Sequence, residues 1–341
     1  MGKRIDSLQS WRFIFALVIF FHHFTVDGQS VFLAGGTLGV AFFLILSGFV
    51  MSAGYADKVR QPKFNYKSFF AKRLSRVYPL HLLCLILAAG LIIISRPLVL
   101  SDGVKFVMNS LLLQSWIPLK GVYFSYNAVS WCLSDLLFFY AVFPFLSKIL
   151  RERKLKYELC SLLVLLVVYF ALFAAVPEKY AHQFIYISPV FRLFDFAIGI
   201  MLYNIYSDIK GSRISVKINS LPAGLKSLWE MLAIVLVFSF VFLFPHISEK
   251  IQYASFWWFP ICVLILTFAV FDDENGGGHY FALFKMQVVN LSRQYQFLFL
   301  YDTSTGHKSN ENHIRQTWVE CNMGIGSAGD DSRNIGRNGC D

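Results

Sequence analysis

Two side chains able to do chemistry share one face of the first apolar run: Arg12 and, eleven positions later, His23. On an α-helix eleven steps of about 100° return a side chain to within about 20° of its starting face, at a rise of about 16 Å. An imidazole whose reference pKa is about 6.5 can accept a hydroxyl proton at neutral pH or carry an acyl group transiently. A long ligand lying along this stripe would touch both residues. His22 points about 80° away and is the weaker candidate. A quieter reading fits the same pair: Arg12 snorkels to headgroups and His23 caps a carbonyl in a helix bundle.

Further ionisable groups interrupt other apolar runs, where charge is costly and tends to face a bundle interior. Arg192 and Asp195, three residues apart, are neighbours on a helix surface and can form an ion pair, in either a structural or a functional role. Asp135 has no cation three or four residues away in its own run. It needs a partner on another helix or in a wet cavity, or else sits at the interface. Arg73 and Arg76 share a helical face ahead of an apolar run, with Lys72 adjoining; their guanidinium groups suit a phosphate-bearing ligand, and ordinary positive-inside charge gives the same pattern. Trp131 fits an interfacial aromatic belt.

The elements that must position these groups are membrane helices. With 56% hydrophobic residues in 341, the chain has too little polar surface to coat a soluble globule of its size. Runs near the roughly 20 residues needed to cross a bilayer begin around Leu8, Phe32, Pro79, Ser130, Leu159, Ile185, Leu228 and Ser255, predicting about eight spans in an all-α, polytopic transmembrane bundle. Lys3 and Arg4, then Lys58 to Arg76, Lys148 to Lys156 and Lys210 to Lys226 fall in alternate loops and so on one side, which predicts a cytoplasmic amino terminus. The net charge of +10 follows these short loops rather than one basic face, so the sequence points to the lipid bilayer and not to nucleic acid. The cysteines make no CxxC pair or metal-like spacing, and no metal site is expected. The stretch from Phe106 to Leu113 reads as a short helix in the interface.

Several segments together resemble the membrane-bound acyltransferase-three family, whose members acylate sugars of bacterial surface polysaccharides and related acceptors. They are Leu8-Gln9-Ser10-Trp11-Arg12 through His23, Gly39-Val40-Ala41-Phe42-Phe43 with Leu46-Ser47-Gly48-Phe49, and Phe70 to Pro79 with its paired arginines. Asn127, Ser130-Trp131-Cys132-Leu133-Ser134, Phe139-Tyr140 and Phe143-Pro144 follow, then Pro189-Val190-Phe191-Arg192, Asp195-Phe196 and Gly199. One departure stands out: many members place a Glu five positions beyond the Trp, where this chain has Leu136, with Asp135 one step earlier.

The resemblance implies transfer of an acyl group, most often acetyl, from cytoplasmic acyl-CoA to a hydroxyl of a cell-surface or lipid-linked carbohydrate at the cell inner (plasma) membrane. His23 would be general base or acyl relay, Arg73 and Arg76 with Arg12 would hold donor phosphates, and Arg192 and Asp195 would organise the interior. Asp135 would stand in for the Glu from a different angle, or that role is absent from this chain. Trp131 and Ser134, with Asn127, would line the acceptor entrance, although helix packing explains Ser134 and Asn127 equally well. Two alternatives stay open: a transporter or flippase of an acylated glycan or lipid, and an inactive, truncated family member. The second arises because the family continues with further apolar helices, whereas this chain turns polar from about Met286. Residues 1–275 are therefore expected to be the transmembrane domain, and residues 276–341 a non-native tail after a frameshift near Lys285.

Overall fold

The computed structural model describes residues 5–27, 29–150 and 155–271; the expected tail lies outside them. The described chain is helical apart from one small hairpin, Thr25–Val26 paired antiparallel with Gln29–Ser30. The helices are α1 Asp6–His23, α2 Gly35–Tyr55, α3 Tyr66–Ser95, α4 Leu100–Ser110, α5 Lys120–Tyr123 and α6 Trp131–Ile149. They continue as α7 Leu155–Ala175, α8 Pro189–Lys210, α9 Arg213–Asn219, α10 Ala223–Leu243, α11 Glu249–Gln252 and α12 Phe259–Phe271.

Each expected span has a counterpart among the described residues. Five stretches are long and apolar enough to cross a membrane: Gly35–Tyr55, Tyr66–Ser95, Ala128–Ile149, Pro189–Lys210 and Ala223–His246. Cys160–Ala175 and Ser255–Phe271 are shorter apolar helices. The all-α, multi-pass bundle read from the apolar runs is the architecture of the chain.

The centre of that bundle is α2. Of its apolar window 78% is buried, against 17% for α3 and 28% for α10. One core joins α2 to α1 and α12 through Phe15, Phe42, Ile45, Ile265 and Phe268; the other joins it to α6 and α8 through Leu44, Phe139, Phe143 and Phe196. Phe15 and Phe42 stack with centroids 3.8 Å apart. Glycine sets the α2–α8 spacing: a Cβ on Gly48 would land on the Phe196 carbonyl oxygen, and one on Gly199 on that of Ile45. Small residues allow such close backbone approach between membrane helices, where dispersion contacts replace a hydrophobic driving force. The exposed Leu83, Ile86, Leu87, Leu91 and Ile94 of α3 make an apolar outer face, as lipid rather than water requires.

Two boundaries differ from expectation. The third helix begins at Tyr66, capped by the Asn65 side chain on the Ser68 N–H, and runs straight through Pro79. Proline deletes one backbone donor without ending this helix, so Arg73 and Arg76, on the helical face expected for them, are continuous with the apolar run that follows. The short helix is Leu100–Ser110, and it folds back along α3 as a hairpin: Arg96 pairs with Asp102 at the turn, and His81 Nε2 meets the Asn109 carbonyl at 2.8 Å at the far end.

Candidate functional site

At one end of the bundle three arginines converge. Arg73 lays its guanidinium 4.4 Å from the Tyr55 ring centroid and its Nε is buried with no acceptor. Arg12 donates to Gln9 Oε1 at 2.7 Å. The Tyr140 hydroxyl of α6 lies in the combined field of Arg73, Arg12 and Arg76. Neither Arg73 nor Arg76 pairs with a carboxylate among the described residues. Gathering cations this way costs Coulomb energy that an anionic ligand would recover, and guanidinium forks match phosphate oxygens.

The second group is buried at the α6–α8 junction. Arg192 Nη1 meets Asp195 Oδ2 at 2.9 Å, with side chains 1% and 0% exposed. Its other donors go to the Tyr186 carbonyl at 2.7 Å, Ser255 Oγ at 3.2 Å and the Tyr253 carbonyl at 3.3 Å, and the Tyr186 ring lies 4.7 Å from the guanidinium. This one cation thus ties α8 to the segments before it and before α12. Asp135, also fully buried, faces the same guanidinium from α6; the Ser115 hydroxyl stands beside it, yet neither of its oxygens accepts a well-formed hydrogen bond. Asp195 pairs with that guanidinium directly, and Asp135 feels its charge without bonding to it. Trp131 packs its ring 5.1 Å from Tyr186.

Ser134 is already committed: it accepts from Ser115 at 2.7 Å and donates to the Leu112 carbonyl at 2.5 Å. Asn127 likewise spends its side chain on the Val129 N–H. Both side chains hold irregular backbone in place, as the packing reading expects.

His23 stands apart from both groups at the last turn of α1, its side chain exposed and the His22 ring 5.1 Å away. His22 is used locally, its Nδ1 lying 3.0 Å from the Leu33 carbonyl. The structure thus assembles Arg12 with Arg73 and Arg76, and Asp135 with Arg192, Asp195 and Trp131, and leaves His23 at the opposite end of α1 from the arginines.

His81, Gln114 and Glu230 are among the buried polar groups that escaped the sequence reading. His81 and Gln114 belong to a seam in which Gln114 Nε2 donates to Ser130 and Ser130 Oγ to Asn109. Glu230 is fully buried in α10; its spacing from Lys226, four residues earlier, was the available signal. Among the described residues no three potential metal ligands gather.

Loops outside the spans carry perturbed groups. His182 sits 3.1 Å from the Tyr123 hydroxyl and against the Tyr186 and Tyr253 rings; burial, helped by the charge of Lys120, lowers its pKa to about 4. Asp102, held by Arg96 and by the Val99 N–H, is brought down to about 2.

A protein-family model described as an acyltransferase domain matches residues 5–279. Acyltransferase MdmB of Streptomyces mycarofaciens is 34% identical over 163 residues, which span 44% of this chain and 41% of that relative's length. No solved structure matches the chain. The chain belongs to the acyltransferase-three family.

Proposed function

We propose that the protein moves an acyl group, acetyl in the simplest case, from cytoplasmic acyl-CoA to a hydroxyl of a cell-surface or lipid-linked carbohydrate. The observation that carries the reading is the convergence of Arg12, Arg73 and Arg76 around Tyr140, with Arg12 on α1, the helix whose far end bears His23. Phosphates of the donor bind the arginines, and its thin arm runs along α1 toward the opposite face. There His23 removes the proton of the sugar hydroxyl as the oxygen attacks the thioester carbonyl. The new C–O ester bond forms, the C–S bond breaks, and the departing thiolate takes up the proton. Arg192 and Asp195 fix α8 against the loop before α12, and Asp135 and Trp131 border that region. The amino terminus and the arginines lie on the cytoplasmic side of the inner membrane, and His23 lies on the other.

The test is ester formation by the full-length protein in nanodiscs, supplied with acetyl-CoA and a hydroxyl-bearing glycan and read by mass spectrometry. His23→Ala is expected to lower the rate about 100- to 10,000-fold, the range for a positioned general base, and Arg73→Gln to weaken donor binding. Unchanged ester formation by His23→Ala removes that residue from the chemistry. Glycan movement without ester formation by the wild type would make the protein a transporter.

A further inference from the structure

We infer that Lys58 is a further donor-phosphate ligand and that the Tyr55 ring positions it together with Arg73. This rests on the cytoplasmic acyl-CoA site proposed above and adds two residues to it. Tyr55 is the last residue of α2, and Lys58 opens the short 3-10 turn that follows, Lys58–Arg60. Lys58 Nζ lies 4.9 Å from the Tyr55 ring centroid and the Arg73 guanidinium lies 4.4 Å from it.

One aromatic ring therefore holds two cations from two different elements, and Phe69, 5.0 Å away, fixes the ring edge-on from α3. Cation–π attraction explains why each cation sits there, but it does not neutralise either of them. Lys58, Arg73 and Arg76 form no ion pair with a carboxylate among the described residues. Arg73 also keeps a buried Nε–H without an acceptor. Like charges held side by side, one with an unspent donor, are matched by an anion bearing several oxygens. A nucleotide with separated phosphate groups, as in coenzyme A, is such an anion. Tyr55 does not touch it; the ring sets where the two cations point.

The test compares the full-length protein in nanodiscs of one fixed lipid composition against three ligands. These are acetyl-CoA, adenosine 3′,5′-bisphosphate, and S-acetylpantetheine, a thioester without phosphate. Lys58→Gln is expected to weaken acetyl-CoA and the bisphosphate about tenfold, as loss of a charged hydrogen bond does. Tyr55→Leu is expected to weaken them about 2- to 5-fold, and Tyr55→Phe, which keeps the ring, to restore most of that binding. Affinity for S-acetylpantetheine stays unchanged in all of them. A fold defect would lower all three ligands together, whereas Tyr55→Phe and the phosphate-free thioester separate positioning from folding. If Lys58→Gln and Tyr55→Leu bind acetyl-CoA like the wild type while Arg73→Gln does not, this inference is wrong and the donor site stands. If Arg73→Gln also binds normally, the donor site itself is overturned and the inference falls with it.

Discussion

At the scale of single residues, the buried ion pair and the committed serine make opposite kinds of claim. Arg192 has so many partners that its removal leaves Asp195 as an uncompensated buried charge. Arg192→Met should cost about 3–5 kcal/mol, and the double variant with Asp195→Leu should recover most of it, because an apolar pair of similar volume needs no counter-charge. Thermal unfolding in detergent measures both. Ser134→Ala withdraws the donor from the Leu112 carbonyl, at a residue whose φ is 54°. An unsatisfied buried carbonyl costs about 1–3 kcal/mol, so the melting temperature should fall while donor affinity is unchanged. The sequence revealed the Arg192–Asp195 pair because a three-residue spacing dictates contact on any helix. It did not reveal that Asp135 faces the same guanidinium, since that depends on how α6 meets α8. Nor did it reveal that Ser134 is spent on Leu112, which depends on an irregular segment with no periodic signal.

At the scale of elements, the apolar runs were readable because span length is a property of composition, whereas boundaries set by capping were not. The apolar run of the third helix was expected from Pro79 with Arg73 and Arg76 on a helical face ahead of it; Asn65 starts one continuous helix earlier, and what the sequence did not show is that this face meets Tyr55 and Tyr140. The α2–α8 contact depends on two glycines meeting backbone carbonyls. Gly48→Ala and Gly199→Ala should each force the helices apart and lower the melting temperature, while Gly54→Ala, with nothing near its added Cβ, should leave it unchanged. The α3–α4 hairpin adds a pH dependence. Asp102 has a folded pKa of about 2 against an ordinary 3.8, so it stabilises the hairpin fully above about pH 4 and loses that contribution as pH falls toward 2. His182 works at higher pH: its folded pKa near 4 lies below the ordinary 6.5, so the unfolded chain takes up the proton first. Stability around Tyr123 should therefore decline as pH falls from 6.5 to 4 and be flat above. Hydrogen exchange of the Tyr123 and His182 segments would record the second decline, and its loss in His182→Phe would assign it.

At the scale of the whole molecule, the proposed chemistry requires the two ends of α1 to face different compartments, with arginines toward the donor and His23 toward the acceptor. Basic loops predict which is which: the turn after α2 carries Lys58, Arg60 and Lys63, and the turn after α1 carries no Lys or Arg. Retention of basic loops on the cytoplasmic side then puts Gln61 inside and Gln29 outside. Both are exposed, so both accept a reporter without disturbing a core. In a background with the native cysteines replaced by serine, a membrane-impermeant maleimide applied to spheroplasts should label Gln29→Cys at once. Gln61→Cys should react only after permeabilisation. Adding acetyl-CoA to the permeabilised sample should slow labelling at Gln61, which lies three residues from Lys58, and leave the rate at Gln29 unchanged. The reverse pattern, with Gln61 labelled from outside, would place the arginines away from the cytoplasmic donor and His23 away from the glycan, and transfer across the membrane by these residues would be impossible.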